Sequence, residues 1–121
     1  MVVDRSVGEW FRPALPMLLL RQLAEQPMHG YGLMEGLRAL GFEVKGATVY
    51  PHLNRLHDDG MIDSEWHAPE SGPARKIMTI TDEGREHLRG LRDQWALFRS
   101  QIDAALAGSA NGGATNREEN G

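Results

Sequence analysis

The 121-residue chain contains no cysteine, so it can form neither a disulfide framework nor a thiolate metal site. It also lacks a long apolar run, because the longest, Leu15 to Leu20, is broken at Arg21 and is far too short to cross a bilayer. The N-terminal segment carries Asp4 and Glu9 and does not resemble a secretion signal. A chain of this length allows one compact domain, and we expect a cytoplasmic protein.

The short motifs that carry catalysis are missing as well. There is no glycine-rich phosphate loop, no Gly-x-Ser-x-Gly elbow and no acidic cluster with metal-ligand spacing, so we expect the protein not to be an enzyme. No two histidines lie four residues apart on one helix, and no HExxH motif occurs. We therefore interpret each as a structural or surface residue and predict neither a metal nor a cofactor. The histidines are His29, His52, His57, His67 and His87.

Positive charge is in deficit, since the chain contains 13 Lys and Arg but 17 Asp and Glu, which gives a net charge of −4. This is the wrong sign for a protein whose whole surface binds nucleic acid, but attraction to phosphate depends on the local field. Residues 38–57 carry three positive charges against one negative, and residues 58–70 are net acidic. Arg75 and Lys76 then follow together. The distribution leaves room for a local basic surface.

Three segments have apolar residues at helical spacing. Helix 1 is predicted over Arg12 to Gln26, with Pro13 and Pro16 in a first turn that needs no amide donors. Gly41 is expected to cap the end of helix 2, and Gly60 follows helix 3. The apolar sets are Leu15, Leu18, Leu19 and Leu23 in helix 1; Leu33, Met34, Leu37 and Leu40 in helix 2; and Val49, Leu53 and Leu56 in helix 3.

Helix 3 has a polar face, and a hairpin follows it. Thr48, Asn54 and Arg55 lie away from its leucines, which makes this face the candidate for DNA recognition. Met61 to His67 and Arg75 to Ile80 have the pattern of strands, and the Ser-Gly-Pro sequence between them predicts a turn. We interpret the hairpin as a wing.

A long last helix is predicted from Asp82 to Ala107, capped by Thr81. Its apolar residues alternate spacings of three and four, which is typical of a heptad seam. The seam either packs onto helix 1 or pairs with a second copy, and a length of roughly 39 Å favours the second copy. Trp95 is either a plain seam residue or a surface on which a flat aromatic effector stacks. The seam comprises Leu88, Leu91, Trp95, Phe98, Ile102 and Ala105.

Four segments, in this order and spacing, resemble the PadR family of transcriptional regulators, over about residues 13 to 106. The length is similar to the short subfamily with a single C-terminal helix. The segments are Met28-His29-Gly30-Tyr31, the run ATVYPHLNRL from Ala47 to Leu56, Gly60-Met61-Ile62, and Pro73-Ala74-Arg75-Lys76 followed by Thr79-Ile80-Thr81.

The resemblance implies a mainly α winged helix-turn-helix with a small β-hairpin and a long C-terminal dimerisation helix. It implies a homodimer on a palindromic operator, with helix 3 in the major groove, the wing near flanking phosphates and a small aromatic effector near the dimer interface. The expected role is a ligand-responsive repressor of neighbouring genes. The expected DNA contacts are Tyr31, Thr48, Tyr50, Pro51, Asn54, Arg55, Arg75 and Lys76. The expected dimer contacts are Leu88, Leu91, Trp95, Phe98 and Ile102. The expected regions are an N-terminal arm (1–11), the DNA-binding domain (12–81), the dimerisation helix (82–107) and a disordered tail (108–121).

Two departures from the family pattern and one rival function accompany these expectations. Gly46-Ala47 replaces the usual Pro-Gly before the helix 3 threonine, which predicts a looser helix start. Ile77-Met78 replaces the aromatic residues that often follow the basic pair of the wing. Pro51 costs an isolated helix about 3 kcal/mol, but the resemblance implies that helix 3 continues through it. The rival is a winged-helix adaptor that binds protein instead of DNA. Independently of that rival, Tyr50 can be a buried aromatic at the helix flank, Arg55 can be merely solvated, and Arg75 and Lys76 can be a solvated edge of the wing.

Overall fold

A computed structural model describes residues 8–110 of the chain. The elements in chain order are α1 (Gly8–Glu25), β1 (Met28–His29), α2 (Gly30–Ala39), α3 (Gly46–Asp58), β2 (Ile62–His67), β3 (Arg75–Ile80) and α4 (Asp82–Ala110). The chain divides into two compact units, the first ending at Leu88 and the second beginning at Arg89. Three helices, a hairpin and a long C-terminal helix confirm the predicted fold class. Within the described residues, no helix is long and apolar enough to span a membrane.

The core of the first unit consists mainly of leucines from α1, α2 and α3, most of them at positions that the helical spacing predicts. Leu40 of the predicted helix 2 set is an exception, because it follows the end of α2 and is 66% exposed. Among the described residues, no polar or charged side chain is buried. The core therefore gains its stability from apolar contact, without a buried ion pair to position its members. The largest fully buried side chains are Leu15, Leu19, Leu20, Leu23, Leu33, Leu37, Ile62 and Val49.

Helix α1 begins at Gly8, four residues before the predicted start at Arg12. Pro13 and Pro16 therefore lie inside the helix, and their placement in its first turn is wrong. The additional N-terminal turn is held by Phe11, which is buried and stacks on Phe42 with ring centroids 4.8 Å apart. This contact offsets the hydrogen bonds that the prolines cannot donate. The predicted arm is correspondingly shorter, and residues 1–7 lie outside the described part of the chain.

Helices α2 and α3 end in the same way, each with a glycine at positive φ. Gly41 has φ +97° and Gly60 has φ +78°, a backbone conformation that costs glycine little. At α2 the Phe42 amide donates to the Leu37 carbonyl at 3.0 Å, and the Gly41 amide donates to Arg38 at 2.9 Å. This pair of bonds is a Schellman motif, repeated after α3, and it confirms the predicted cap at Gly41.

A three-stranded antiparallel sheet has the order β1-β3-β2. The predicted hairpin is confirmed, and β3 has the predicted bounds, Arg75–Ile80. The two-residue strand β1 was not predicted, because two residues are too few for an alternating pattern. It pairs Met28 with Met78 and His29 with Ile77. Through this pairing the start of α2 is joined to the wing.

Helix α4 starts where the sequence predicts. The Gly84 amide donates to the Thr81 hydroxyl oxygen at 2.9 Å, and that hydroxyl donates to the Gly60 carbonyl at 2.7 Å, so Thr81 caps α4 and joins it to the end of α3. A side chain at Gly84 would collide with the Met61 carbonyl, so only glycine fits this approach. The helix continues to Ala110, three residues past the predicted end.

Leu88 is buried in the first unit, so its predicted place in an intermolecular seam is wrong. The physical reason is that the first turns of α4 cover the core of the first unit. The predicted disordered tail is wrong for its first three residues, 108–110, because glycine weakens a helix without ending it. The remainder of that tail lies outside the described residues.

Candidate nucleic-acid interface

The exposed face of α3 is the surface that the sequence proposes for DNA. Successive residues are about 100° apart around a helix, so Ala47, Pro51, Asn54 and Asp58 form its outward stripe, and all four are exposed. Tyr50 and His57 lie on one flank of this stripe, and Thr48 and Arg55 on the other. The buried side is formed by Val49, Leu53 and Leu56. Thr48 is half-buried, whereas Asn54 and Arg55 are exposed.

Two sequence features of α3 concern its start at Gly46-Ala47 and its continuity at Pro51. Helix α3 continues through Pro51, as the family resemblance implies. The missing amide hydrogen of Pro51 leaves the carbonyl of Ala47, four residues earlier, without its usual intrahelical donor. The N-cap residue is Lys45, which makes no side-chain cap bond. The looser start predicted from Gly46-Ala47 stays a prediction.

The Tyr50 ring connects the first turns of α2 and α3. A Cβ placed on Gly30 would lie 2.6 Å from the Tyr50 hydroxyl oxygen, and one on Gly46 would lie 3.1 Å from the ring. Glycine at both positions therefore lets the two edges of the ring approach the two backbones closely. Tyr50 nevertheless remains 45% exposed. The ring is both a packing element and an accessible surface, so the two interpretations of Tyr50 are compatible.

A cleft of about 400 Å³ lies between the start of α2, the face of α3 and the wing. Its wall contains five of the predicted DNA contacts: Tyr31, Tyr50, Asn54, Arg75 and Lys76. Thr48, Pro51 and Arg55 are not part of that wall. No Asp or Glu is among the residues that line the cleft, whereas two cations are. The cleft is therefore a place where an anionic group gains local attraction.

The cations of this region are available for phosphate. Among residues 8–110, Arg55, Arg75 and Lys76 make no ion pair within 4.0 Å. By contrast, Arg38 is bound to Glu35 at 2.7 Å and to the Val44 carbonyl at 3.3 Å. The first three side chains are exposed. A phosphate would not have to displace a carboxylate to reach them.

Two residues of the region were not among the predicted DNA contacts. His29 caps α2, since its Nδ1 lies 3.0 Å from the Gly32 amide, and its Nε2 lies 2.9 Å from Nη1 of Arg75. Trp66 is 70% exposed and pairs across the wing with Lys76. The sequence signal for His29 was its place directly before helix 2 in the Met-His-Gly-Tyr segment. Trp66 carried the ordinary signal of a strand residue.

The other flank of α3 carries His52 and Arg55, and Arg12 of α1 is close to them. His52 lies half-buried beside α1, and burial is the main reason that its pKa is lowered from 6.5. The positive charges of Arg55 and Arg12 lower that pKa further. Arg12 was not predicted to be near α3, because the approach of α1 to α3 is tertiary.

The second unit exposes an apolar side of α4. Trp95, Phe98 and Ile102 are 47%, 49% and 42% exposed, and the Trp95 and Phe98 ring centroids are 6.2 Å apart. Leu91 is half-buried. These four residues of the predicted seam are spaced three and four apart on one helix, so they lie on one side of it. We call this set the α4 seam.

Comparison with known proteins places this geometry in a family. Residues 19–90 match the Transcriptional regulator PadR-like family. The chain belongs to the PadR family of transcriptional regulators. The transcriptional regulator Rv3488 of Mycobacterium tuberculosis is 35% identical over 80 residues, which cover 66% of this chain and 74% of the relative. PadR regulators are DNA-binding transcription factors and not enzymes. Family membership therefore confirms the expectation from the sequence that the protein is not an enzyme.

Solved structures of PadR-family proteins share the fold. A PadR-family transcriptional regulator from Eggerthella lenta has a TM-score of 0.73 and 37% identity, covering 83% of this chain and 84% of its own. A PadR-like transcriptional regulator from Bacillus cereus has a TM-score of 0.73 and 27% identity, covering 81% of this chain and 96% of its own. The winged-helix architecture is therefore common to these PadR proteins and to this chain.

The lowered pKa of His52 predicts a pH-dependent stability. Below about pH 6.5 the unfolded chain takes up a proton on His52, whereas the folded chain takes it up only at a lower pH. The free energy of unfolding therefore falls as the pH falls from about 6.5 through the lowered pKa of the folded state. Urea titrations at pH 7.5 and 5.5 measure the loss. In His52→Gln the loss should be smaller than in the wild type, and Arg12→Gln should reduce it partly. An equal loss in wild type and His52→Gln would contradict the assignment.

Proposed function

We propose that the protein binds double-stranded DNA as a homodimer and acts as a ligand-responsive repressor of neighbouring genes. The observation that carries the proposal is the set of exposed cations without ion pairs, Arg55, Arg75 and Lys76, on and beside the polar face of α3. Family membership supports it, since PadR regulators bind DNA and typically form dimers. A dimer on a palindromic operator near a promoter would repress by excluding other proteins.

The proposal gives α3 and the wing different roles. Contacts to base edges specify a sequence, whereas contacts to phosphates position the protein. Asn54 and Arg55 project from the exposed side of a helix of 13 residues, a size that enters the major groove. Arg75 and Lys76 begin β3, next to the turn that contains Gly72 at φ +99°. Tyr31, Thr48, Tyr50 and Pro51 complete the proposed surface, with Tyr31 63% exposed.

The two roles are separable in a binding experiment. Arg75→Ala and Lys76→Ala should each weaken binding to operator and scrambled duplex alike and lower the salt slope by about one. Arg55→Ala should cost about 1–3 kcal/mol on the operator and relax preference at one base position per half-site. Fluorescence anisotropy at several salt concentrations, with duplexes from the gene's upstream region, measures both.

Two results of that titration would count against the proposal. If Arg55→Ala weakened both duplexes equally, α3 would not specify the sequence. If the wild type bound no duplex even at low salt, the adaptor function would replace DNA binding, with these cations solvated or directed at a protein.

A homodimer through the α4 seam is the second part of the proposal. Within the second unit the seam residues Trp95, Phe98 and Ile102 are each more than two-fifths exposed. A contiguous exposed apolar surface of this kind usually marks an interaction site. The heptad-like spacing suits pairing with a second copy of the same helix. A twofold dimer would place two copies of α3 about one helical turn of DNA, or a multiple, apart.

Light scattering at micromolar concentration should give twice the 13.5 kDa of a single chain. Ile102→Glu should give the single-chain mass, because it places a charge in the seam. Leu97→Glu is the matched control: Leu97 is 62% exposed on the other side of α4, and that variant should remain a dimer. A wild type of single-chain mass would refute both the dimer and the two-half-site arrangement.

Ligand response is the third part, and the Trp95 and Phe98 rings support it. Their centroid separation of 6.2 Å leaves an aromatic surface on which a planar apolar compound can stack. Such compounds should quench tryptophan fluorescence and weaken DNA binding. The quench should disappear in Trp95→Ala, which retains Trp10 and Trp66. Unchanged quenching in that variant would place the ligand elsewhere.

A further inference from the structure

The imidazole of His29 faces a hydrogen-bond donor at each of its two nitrogens. At Nδ1 the donor is the Gly32 amide, 3.0 Å away, and at Nε2 it is Nη1 of Arg75, 2.9 Å away. An amide nitrogen can only donate, and a guanidinium carries donors and no acceptor. A neutral imidazole has one lone pair and one N–H, and a protonated ring has no lone pair. His29 can therefore accept from only one of these two neighbours.

The lone pair belongs to the bond with Gly32. That bond caps α2 between groups fixed by the backbone, and losing an N-cap weakens the start of a helix. Arg75 is a long, exposed side chain at the edge of the wing, and water can solvate its guanidinium at little cost. With the lone pair of Nδ1 used in this way, Nε2 would carry the hydrogen, and its N–H and the Arg75 guanidinium would be two neighbouring donors without an acceptor.

The surroundings identify what the missing acceptor is. Both side chains line the cleft between α2, α3 and the wing, where Lys76 adds a second positive charge and no Asp or Glu is present. Among residues 8–110, Arg75 and Lys76 make no ion pair. The exposed residues Tyr31 and Asn54 line the same cleft. An oxygen that accepts from a guanidinium and an imidazole together, in a cleft lacking carboxylates, is typical of a phosphate group.

We propose that the Nε2–H of His29 and the guanidinium of Arg75 together bind one phosphate group in this cleft. The inference rests on the proposed DNA binding, because the backbone of a bound duplex is the expected source of that phosphate. A free phosphate anion has the same chemistry and is the other source. In either case Arg75 turns from the ring to the phosphate, and His29 becomes a neutral donor beside it while it continues to cap α2.

One substitution separates the cap from the donor. In His29→Asn the side-chain oxygen can accept from the Gly32 amide, since asparagine is a good N-cap residue, but no donor remains at the Nε2 position. The urea midpoint should stay close to that of the wild type, while duplex affinity should fall about tenfold, as for a lost hydrogen bond to a charged group. The salt slope should not change, because no charge is removed, whereas Arg75→Ala should lower it by about one. His87→Asn, on the exposed surface of α4, is the matched control and should bind as the wild type does.

The ring itself gives a second measurement on the full-length protein. Proton–nitrogen NMR of the histidine side chains should show the hydrogen of His29 on Nε2, and this nitrogen should shift when duplex is added. Inorganic phosphate is titrated separately. A shift with duplex alone identifies the DNA backbone as the source, and a shift with inorganic phosphate identifies a free-anion site. Both outcomes support phosphate binding by His29 and Arg75.

Three outcomes would overturn the inference. The first is a hydrogen on Nδ1, because Arg75 would then donate to Nε2 in a purely structural contact. The second is that the His29 nitrogen shifts with neither phosphate source. The third is wild-type duplex affinity in a stably folded His29→Asn. In the last case duplex binding by the wild type would stand, so the proposed function would survive. If the wild type bound no duplex, the proposed function would fail, and the ring hydrogen and the inorganic phosphate titration would still decide this inference.

Discussion

The antiparallel pairing of β1 with β3 is the contact on which the geometry of the candidate interface depends. Met28 and His29 pair with Met78 and Ile77, so the first turn of α2 is fixed against the wing. A two-residue strand contributes few hydrogen bonds, but it sets the register between segments nearly 50 residues apart in the chain. Without that register, His29 and Arg75 would not approach each other and the cleft would have no third wall.

A second constraint is the close approach of α2 and α3 at Tyr50. The ring occupies the space that a side chain at Gly30 would fill, and Gly46 leaves room for its other edge. The Tyr50 ring therefore helps to set the position of α3 relative to α2 and the wing, while its exposed edge faces the cleft. One aromatic residue thus serves packing and the surface together. This explains why its structural and functional interpretations could not be separated from the sequence.

The parts of the fold that the sequence predicts are those with a local cause. Strand β3 has the predicted bounds because a Ser-Gly-Pro turn directly precedes it, and the caps at Gly41, Gly60 and Thr81 follow from the local chemistry of single residues. The early start of α1 was missed because it depends on Phe11 stacking on Phe42, a contact between residues distant in sequence. Leu88 fits a heptad as well as it fits a core. Spacing alone cannot distinguish these two environments, because both require an apolar residue on one side of the helix.

The residues of the candidate site divide in the same way, into those with a local cause in the sequence and those that depend on tertiary packing. Exposed polar positions on α3 follow from helical periodicity, but the convergence of Tyr31, Arg75 and Lys76 on one cleft is tertiary. Two of the predicted residues, Thr48 and Arg55, prove to lie on the flank of α3 away from that cleft. No periodicity in the sequence marks that separation, since it depends on where the wing packs.

The net charge of −4 is a poor guide to this surface, for a reason that the positions of the charges make clear. On β2, Asp63 and Glu65 alternate with Ser64, so they lie on the opposite face of the sheet from the Ser64 side chain that lines the cleft. At physiological ionic strength, interactions between exposed charges are screened over about 8 Å. A phosphate in the cleft is therefore influenced mainly by the cations beside it. A protein can be acidic overall and still attract an anionic group, provided that no carboxylate lines the cleft that receives the group.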